Sequence, residues 1–327
     1  MIKSKFFLFP NFNPTKDKSG NPYLKLLSSA LENHGVIKNR LIAKLGFTSI
    51  FFNLDADIFI LNWTETIPFK PFGLVQVFFF TFGIILLKLS QKQIVWIAHN
   101  KQCHIRCSLA SRWCMWLTAK CANRTITHAS EGIRLFQKKY GIKHIEHIPH
   151  PAYFQELKPA DAPTYDYIIW GSIDRRKQVL EFIKFARTRP FFIGKNILIC
   201  GRPQDEAYRK QLQDACAGFC KLKDEFISDE QLDIFLRQSA CILFTYKDEN
   251  TLGSGALIYS LNYGKPIIGP RSGAFADMPG IVSCYDSFKD IEMISAESNG
   301  SRDIIESYLK ANTWKAFADS LLMTFST

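Results

Sequence analysis

Two short stretches carry the side chains best suited to holding a doubly charged anion. The first is Gly253-Ser254-Gly255, which follows the apolar run 241–245 and opens a helical stretch ending at Gly264. The first amide N–H groups of a helix have no partner inside it, and the aligned peptide dipoles make that end positive. Ser254 adds a hydroxyl donor, and glycine on either side lets a ligand reach the backbone. The same letters also fit an ordinary strand–helix–strand unit with a serine N-cap. The second stretch is Gly171-Ser172-Ile173-Asp174-Arg175-Arg176-Lys177, which places three cations where a helix should begin. Positive charge there opposes the helix dipole, and a bound di-anion would remove the conflict. A solvated basic turn is the plainer alternative. Combined at neighbouring strand ends, the two stretches would supply point charges and directed amides, the chemistry of a diphosphate pocket.

Other polar residues fall at the same kind of position. Glu249, in the polar loop that starts at Tyr246, could accept hydrogen bonds from sugar hydroxyls or be a surface charge. Arg202 follows the run NILICG and is a further candidate cation. His99 and Asn100 end the run QIVWIA, where a histidine could act as a general base or ligand contact. His128 and His150 also end strand-like runs on the same presumed edge, as structural or ligand-contacting histidines. His99, Cys103, His104 and Cys107 have spacings compatible with a metal, but no C-x-x-C pair accompanies them and no metal is expected. Cys216 and Cys220 carry no signal of reactivity.

These residues need a scaffold that brings strand ends together. Runs 5–9, 48–52, 58–61, 93–98, 124–127 and 145–148 read as strands in the first half. Asn21-Pro22 reads as the N-cap and first residue of a helix that Gly35 stops. Helices are also expected over 107–122 and 130–140. The Pro- and Ala-rich KPADAPT, residues 158–164, is the best linker. Strands are then expected at 166–170, 195–200, 222–227, 241–245, 265–268 and 281–284, with helices between them and two more after Ser301. Alternating strands and helices imply parallel sheets whose ligand edge lies at the strand C-termini. The expected architecture is therefore α/β, with two Rossmann-like doubly wound domains facing a cleft. The first spans residues 1–157 and the second 165–305. Residues 306–327 would form a terminal helix that packs back on the first domain. Neither G-x-G-x-x-G after the first strand nor G-x-x-x-x-G-K-S is present, which argues against a standard dinucleotide or P-loop enzyme.

The charge is lopsided. Residues 1–155 carry 20 Lys+Arg against 7 Asp+Glu, a net of +13, within a chain of 327 residues and net charge +11. That half is expected to meet something anionic: a membrane surface, a nucleic acid or an acidic glycan. The run 71–87, PFGLVQVFFFTFGIILL, is shorter than the ~20 residues that span a bilayer and fits a core or interfacial helix. Nine scattered cysteines and no convincing leader suggest a reduced, cytoplasmic protein. No nucleic-acid module is recognisable, so no nucleic-acid partner is expected.

Read in order, GSIDRRKQVLEFI, NILICGRP, FISDEQLDIFLRQSACILFTY and GSGALIYSLNYGKPII, with VWIAHN, NPYLKLL and IPHPAY before them, make the chain resemble the GT-B-fold glycosyltransferases. The likeness is greatest to the group 1 family that builds bacterial polysaccharides, and it covers nearly the whole length. It implies transfer of a sugar from a UDP- or GDP-type nucleotide sugar, a co-substrate, with no resident cofactor. The acceptor would be a saccharide or lipid-linked saccharide, and the enzyme would sit on the inner face of the plasma membrane against anionic lipid. Arg176, Lys177, Ser254 and Gly255 would hold the donor diphosphate. Gly171, Ser172, Arg202, Tyr246 and the backbone near Ile227 would face the nucleoside and sugar. His99 and Glu249 would be catalytic, and Asn21, Asn100, His128 and His150 would lie on the acceptor side. Tyr259 stands where the family carries the second of its paired glutamates, with Thr251 or Gly253 near the first, and Ser172 replaces its usual arginine. The competing readings are a nucleotide-sugar epimerase of related fold and a non-catalytic basic binder of nucleic acid or acidic glycan.

Overall fold

The computed structural model describes residues 4–12, 22–39, 43–103, 107–154, 156–246, 252–297 and 302–323. They fall into two compact units. The first comprises Met1–Pro151, Asn250–Gly253 and Trp314–Thr327; the second comprises Ala152–Glu249 and Ser254–Thr313.

In chain order the first unit holds β1 (Ser4–Phe9), α1 (Pro22–Leu31), β2 (Gly35–Ile37), β3 (Ile58–Asn62), α2 (Gly73–Leu89), β4 (Gln93–Ala98), α3 (Leu109–Cys121), β5 (Arg124–Thr127), α4 (Ser130–Tyr140) and β6 (Ile145–His147). The strands form one parallel sheet in the order β2-β1-β3-β4-β5-β6. The chain goes from β1 outward to β2 and then returns to the other side of β1, so the order reverses between β1 and β3. In an open parallel sheet, the crevice outside the strand C-termini at such a reversal is where ligands bind. β3 and β4 are buried almost throughout, as expected of strands covered on both faces.

The second unit repeats the scheme with β7 (Tyr165–Trp170), α5 (Val179–Ala186), β8 (Ile197–Cys200), α6 (Glu206–Cys216), β9 (Lys221–Lys223), α7 (Asp229–Arg237), β10 (Ser239–Leu243), α8 (Gly255–Leu261), β11 (Ile267–Pro270), α9 (Gly273–Ala276), β12 (Val282–Tyr285), α10 (Ile291–Glu297) and α11 (Arg302–Ala311). Its parallel sheet runs β12-β11-β10-β7-β8-β9, and here the reversal lies between β7 and β10.

The last helix, α12 (Trp314–Leu322), belongs to the first unit. Its buried face of Trp314, Phe317, Ala318 and Leu321 packs in one cluster with Leu24, Leu27 and Leu31 of α1. Arg124 fastens its end. Both faces of the guanidinium are used: Nε and Nη2 donate to the Glu146 carboxylate at 2.9 and 2.5 Å, and Nη1 donates to the Ser320 and Leu321 carbonyls at 2.8 and 2.6 Å. Those are carbonyls of the last turn, which the helix itself leaves unpaired.

One strand expected in the first half is corrected. Residues 48–52 are not a strand but part of a 3-10 segment, Ala43–Phe52, broken at Gly46 (φ 55°). There the Phe47 amide donates to Gln76 Oε1 at 2.8 Å, and Phe47 and Ile50 pack against Phe80 of α2. The apolar run is long enough for a strand, but its side chains are needed on one side of α2. On its outer side β1 pairs instead with the three-residue β2, too short for any alternation to be read. The expected helix over the apolar run is α2: Gln76, Phe80, Gly83, Ile84 and Leu87 face the core, and the other side is exposed. Among the described residues, no helix is long and apolar enough to cross a membrane.

Candidate functional site

In the second unit the loop after β7 and the loop after β8 are laced together. Ile173 and Pro203 form a parallel bridge, with the Ile173 amide donating to Arg202 O at 3.0 Å and the Gln204 amide to Ile173 O at 2.8 Å. The two backbones approach so closely that a Cβ on Gly201 would lie 1.8 Å from Gly171 O, and Gly201 has φ 141°. Gly171 itself has φ 99°, in the region L-residues avoid. Past this junction, Arg175–Lys177 make a single 3-10 turn, and Gln178 (φ 50°) turns the chain into α5. Helix α5 thus starts after the three cations rather than with them.

A 3-10 turn separates consecutive side chains by about a third of a revolution, so the three cations diverge. Arg175 leaves the group: it lies 4.6 Å over the Tyr208 ring and donates to Gln211 at 3.2 Å on α6. Arg176 lies 5.6 Å from the Tyr246 ring centroid, with its charge partly offset by Asp174 at 3.2 Å. Lys177 turns inward. It is 5% exposed, and its Nζ sits 5.2 Å over the Tyr246 ring and 3.5 Å from Trp170 O. No carboxylate among the described residues pairs with it. The Thr245 hydroxyl donates to the Lys177 carbonyl and pins the turn to the end of β10. Lys177 therefore stands between the C-terminal ends of β7 and β10, at the reversal point of this sheet.

Tyr246 connects Lys177 to the other anion-binding candidate. Its phenolic oxygen is 3.5 Å from Ser254 Oγ, which accepts from the Leu257 amide at 3.2 Å as the N-cap of α8. As the N-cap acceptor, Ser254 can still donate its own hydroxyl proton, to Tyr246 or to a ligand. Gly255 is exposed, and a Cβ there would meet open space. Lys177, Arg176, Tyr246 and Ser254 are thus one group. Gly171 borders it, since a Cβ at that position would lie 3.0 Å from the Lys177 ammonium. Ser172 and Arg202 are exposed at the neighbouring strand ends, and Ile227, half-buried after β9, packs on the core. Glu249 lies outside the described residues. A cavity of about 340 Å³ opens beside Tyr246, lined by Gln178, Arg271, Tyr285 and Asp286 among others. Arg271 is held by Asp286 at 3.0 Å. The sequence reading passed over Arg271 and Thr245, although both follow strands just as Arg202 does. Tyr259, in place of a carboxylate, packs its ring 5.5 Å from Trp170.

In the first unit, the C-terminal edge carries a nest of rings around Tyr23 of α1. His99, His150, His128, Trp314 and Trp63 lie 4.7, 5.3, 5.6, 5.0 and 5.8 Å from the Tyr23 ring. Trp63, in the left-handed region directly after β3, stacks on His99 at 4.4 Å. The tautomers follow from the partners. Asn62 donates its amide to Phe9 O at 3.0 Å, so its Oδ1 faces His99 at 2.9 Å and His99 must donate from Nε2. Its Nδ1 carries the lone pair and has no partner among the described residues. His128 donates from Nδ1 to Ile148 O and accepts at Nε2 from the Tyr23 hydroxyl, both at 2.8 Å. Its two nitrogens are spent on positioning Tyr23. His150 donates from Nδ1 to Pro151 O at 2.9 Å and keeps a lone pair on Nε2.

Burial holds all three imidazoles neutral. It pushes His99 well below its ordinary pKa, helped by the neighbouring His128 and His150, and lowers His128 to about 3 and His150 to about 4. Next to this nest, Asn100 donates to the buried Glu65 carboxylate at 2.8 Å, and burial raises the Glu65 pKa. Glu65, Trp63 and Tyr23 escaped the sequence reading. Tyr23 stands in the NPYLKLL motif, while Glu65 and Trp63 had no signal beyond following a strand. Asn21 and His104 lie outside the described residues, and no group of three metal-ligating side chains occurs among the described ones.

No protein-family model matches the sequence, and no curated protein matches it. Solved structures do match in shape. Sucrose-phosphate synthase from Thermosynechococcus elongatus superposes with a TM-score of 0.69 at 13% identity, covering 99% of this chain and 98% of that one. AviGT4, a glycosyltransferase of avilamycin A biosynthesis, gives 0.62 at 12%, covering 99% and 97%. HepE of Anabaena, in complex with UDP-glucose, gives 0.61 at 14%, covering 97% and 94%. The chain has the fold of these proteins from end to end, two Rossmann-like α/β units of the GT-B type.

Proposed function

We propose that the chain is a glycosyltransferase that takes a sugar from a nucleotide-diphosphate sugar and passes it to a saccharide or lipid-linked acceptor in the making of a bacterial surface polysaccharide. Lys177 is the observation that carries this reading. Burying an ammonium carries a desolvation cost, and among the described residues no carboxylate offsets it for Lys177. Its place at the reversal point of the sheet, beside an N-cap serine and a second cation, suits a diphosphate that would repay the cost. As the bond from the sugar to the phosphate breaks, charge grows on the departing diphosphate. Lys177, Arg176 and the Ser254 hydroxyl would stabilise that charge more strongly than the ground state. In the first unit, the neutral His99 with its Nδ1 lone pair can accept a proton or a hydrogen bond from a sugar hydroxyl. Burial keeps it available at neutral pH. The solved relatives named above include a protein crystallised with UDP-glucose, which supports a UDP-type donor.

A thermal-shift screen against UDP, GDP, CMP and their sugar conjugates tests the reading. A ligand held at a hundred times its Kd stabilises the native state by about 2.7 kcal/mol, so a true donor raises the melting temperature visibly. The expected result is a shift with UDP or GDP compounds. Mass spectrometry should then find nucleotide diphosphate released only when an acceptor is present. Sugar rearrangement without acceptor would favour the epimerase reading. Stabilisation by heparin or nucleic acid alone, with none by any nucleotide, would replace the proposal with a basic binding protein.

A further inference from the structure

One side of α2 is left largely uncovered by the described residues. Leu74, Phe78, Phe82, Ile85 and Leu89 succeed one another at three- or four-residue steps, which puts them on one face of the helix. All five are exposed, Leu74 by 79% and Phe78 by 68%. Helix α3 widens the strip. Trp113 donates from Nε1 to Thr81 Oγ1 at 2.9 Å, which ties α3 to α2, and it stacks on Trp116 with ring centroids 5.1 Å apart. Both indoles are part-exposed. Within the two helices and the residue leading into α2, charge is of one sign. Neither α2 nor α3 contains an acidic residue, and Lys70, Lys88, Arg112 and Lys120 are exposed.

We propose that this face docks on the surface of an anionic lipid bilayer, with α2 lying in the plane of the interface. Apolar side chains that step along one helix face can enter the acyl boundary. Paired indoles suit the headgroup layer, being apolar in body and polar at the N–H. Cations without intervening carboxylates match anionic headgroups. At 17 residues α2 lies along the membrane rather than through it. The inference rests on the first unit alone and does not depend on which reaction the protein carries out.

Vesicle flotation tests it, using phosphatidylcholine vesicles with and without phosphatidylglycerol. The wild type should float with the phosphatidylglycerol vesicles about tenfold more than with pure phosphatidylcholine. High salt should weaken binding without abolishing it, because apolar contacts remain. The double variant Leu74→Gln/Phe78→Gln should float about tenfold less while melting at the same temperature, since both side chains stand largely in solvent. A measurement on the wild type needs no variant: acyl chains brominated near the headgroup should quench its tryptophan emission. The proposal is overturned if the wild type fails to float and is not quenched, or if the double variant floats as well as the wild type. It is also overturned if sedimentation velocity finds a non-floating dimer that the double variant makes monomeric, which would assign the face to self-contact.

Discussion

The three neutral histidines make stability depend on pH in a way that can be worked out. An unfolded histidine titrates near 6.5. In the fold His128 is lowered to about 3 and His150 to about 4, chiefly by burial, and His99 moves the same way. Between those values and 6.5 the unfolded chain binds protons that the native chain refuses, so stability falls as pH falls. Taking His128 from about pH 7.5 to about pH 5 crosses roughly 1.5 units below the unfolded pKa, about 2 kcal/mol at 1.36 kcal/mol per unit. His150 keeps some access to solvent and is assigned about half of that. Together they make about 3 kcal/mol over the interval, before any share from His99. Glu65, whose pKa burial raises, acts in the opposite sense as pH falls. Five of the six tryptophans (63, 96, 113, 116 and 314) lie in the first unit, so urea unfolding followed by tryptophan fluorescence reports on that unit. The expected result is a loss of about 3 kcal/mol from about pH 7.5 to about pH 5. His128→Gln should be less stable throughout and should show a slope shallower by about one proton near pH 5.5. Since Glu65 is common to both proteins, the difference belongs to His128. Stability that is flat over this range, or an unchanged slope in His128→Gln, would refute the reasoning.

Three further perturbations follow from the geometry. Gly171→Ala places a methyl 3.0 Å from the Lys177 ammonium on a residue with φ 99°. It should cost about 1–3 kcal/mol, seen as a lower melting temperature, and should also weaken nucleotide binding. Thr245→Val removes the bond to the Lys177 carbonyl while keeping the shape, and urea unfolding should record a loss of about 1–2 kcal/mol. Arg124→Met breaks the pairing with Glu146 and uncaps α12, for about 2–4 kcal/mol, and hydrogen exchange in residues 314–322 should rise ahead of the rest of the first unit.

What could be read from the sequence was what repeats. Buried strands such as β3 and β4 announce themselves as apolar runs, and the alternation of strands with helices fixed two parallel sheets. The basic turn, the N-cap serine and the histidine at the end of β4 were legible because strand ends are where such sheets bind ligands. Two kinds of feature were not. Residues 48–52 have the composition of a strand but serve α2, and β2 has only three residues, so tertiary packing overrode local pattern at both places. Rotation within a turn was also invisible. Three adjacent cations look alike in sequence, yet the 3-10 geometry sends Arg175 to Tyr208, leaves Arg176 beside Asp174 and buries Lys177. Nor could the letters say that His128 spends both nitrogens on Tyr23 and Ile148 while His99 keeps Nδ1 for use. That distinction depends on hydrogen bonds between residues far apart in sequence.

Isothermal calorimetry of UDP binding to the wild type and to Lys177→Met reaches most directly the claim that the buried Lys177 exists to meet a diphosphate. Charge-assisted hydrogen bonds are worth about 1.5–3 kcal/mol, so the variant should bind UDP roughly 10- to 150-fold more weakly. Without ligand it should melt at the same or a higher temperature, because a buried charge has been replaced by an uncharged side chain of similar volume. An unchanged Kd for UDP, or a variant that loses stability instead of affinity, would contradict the account.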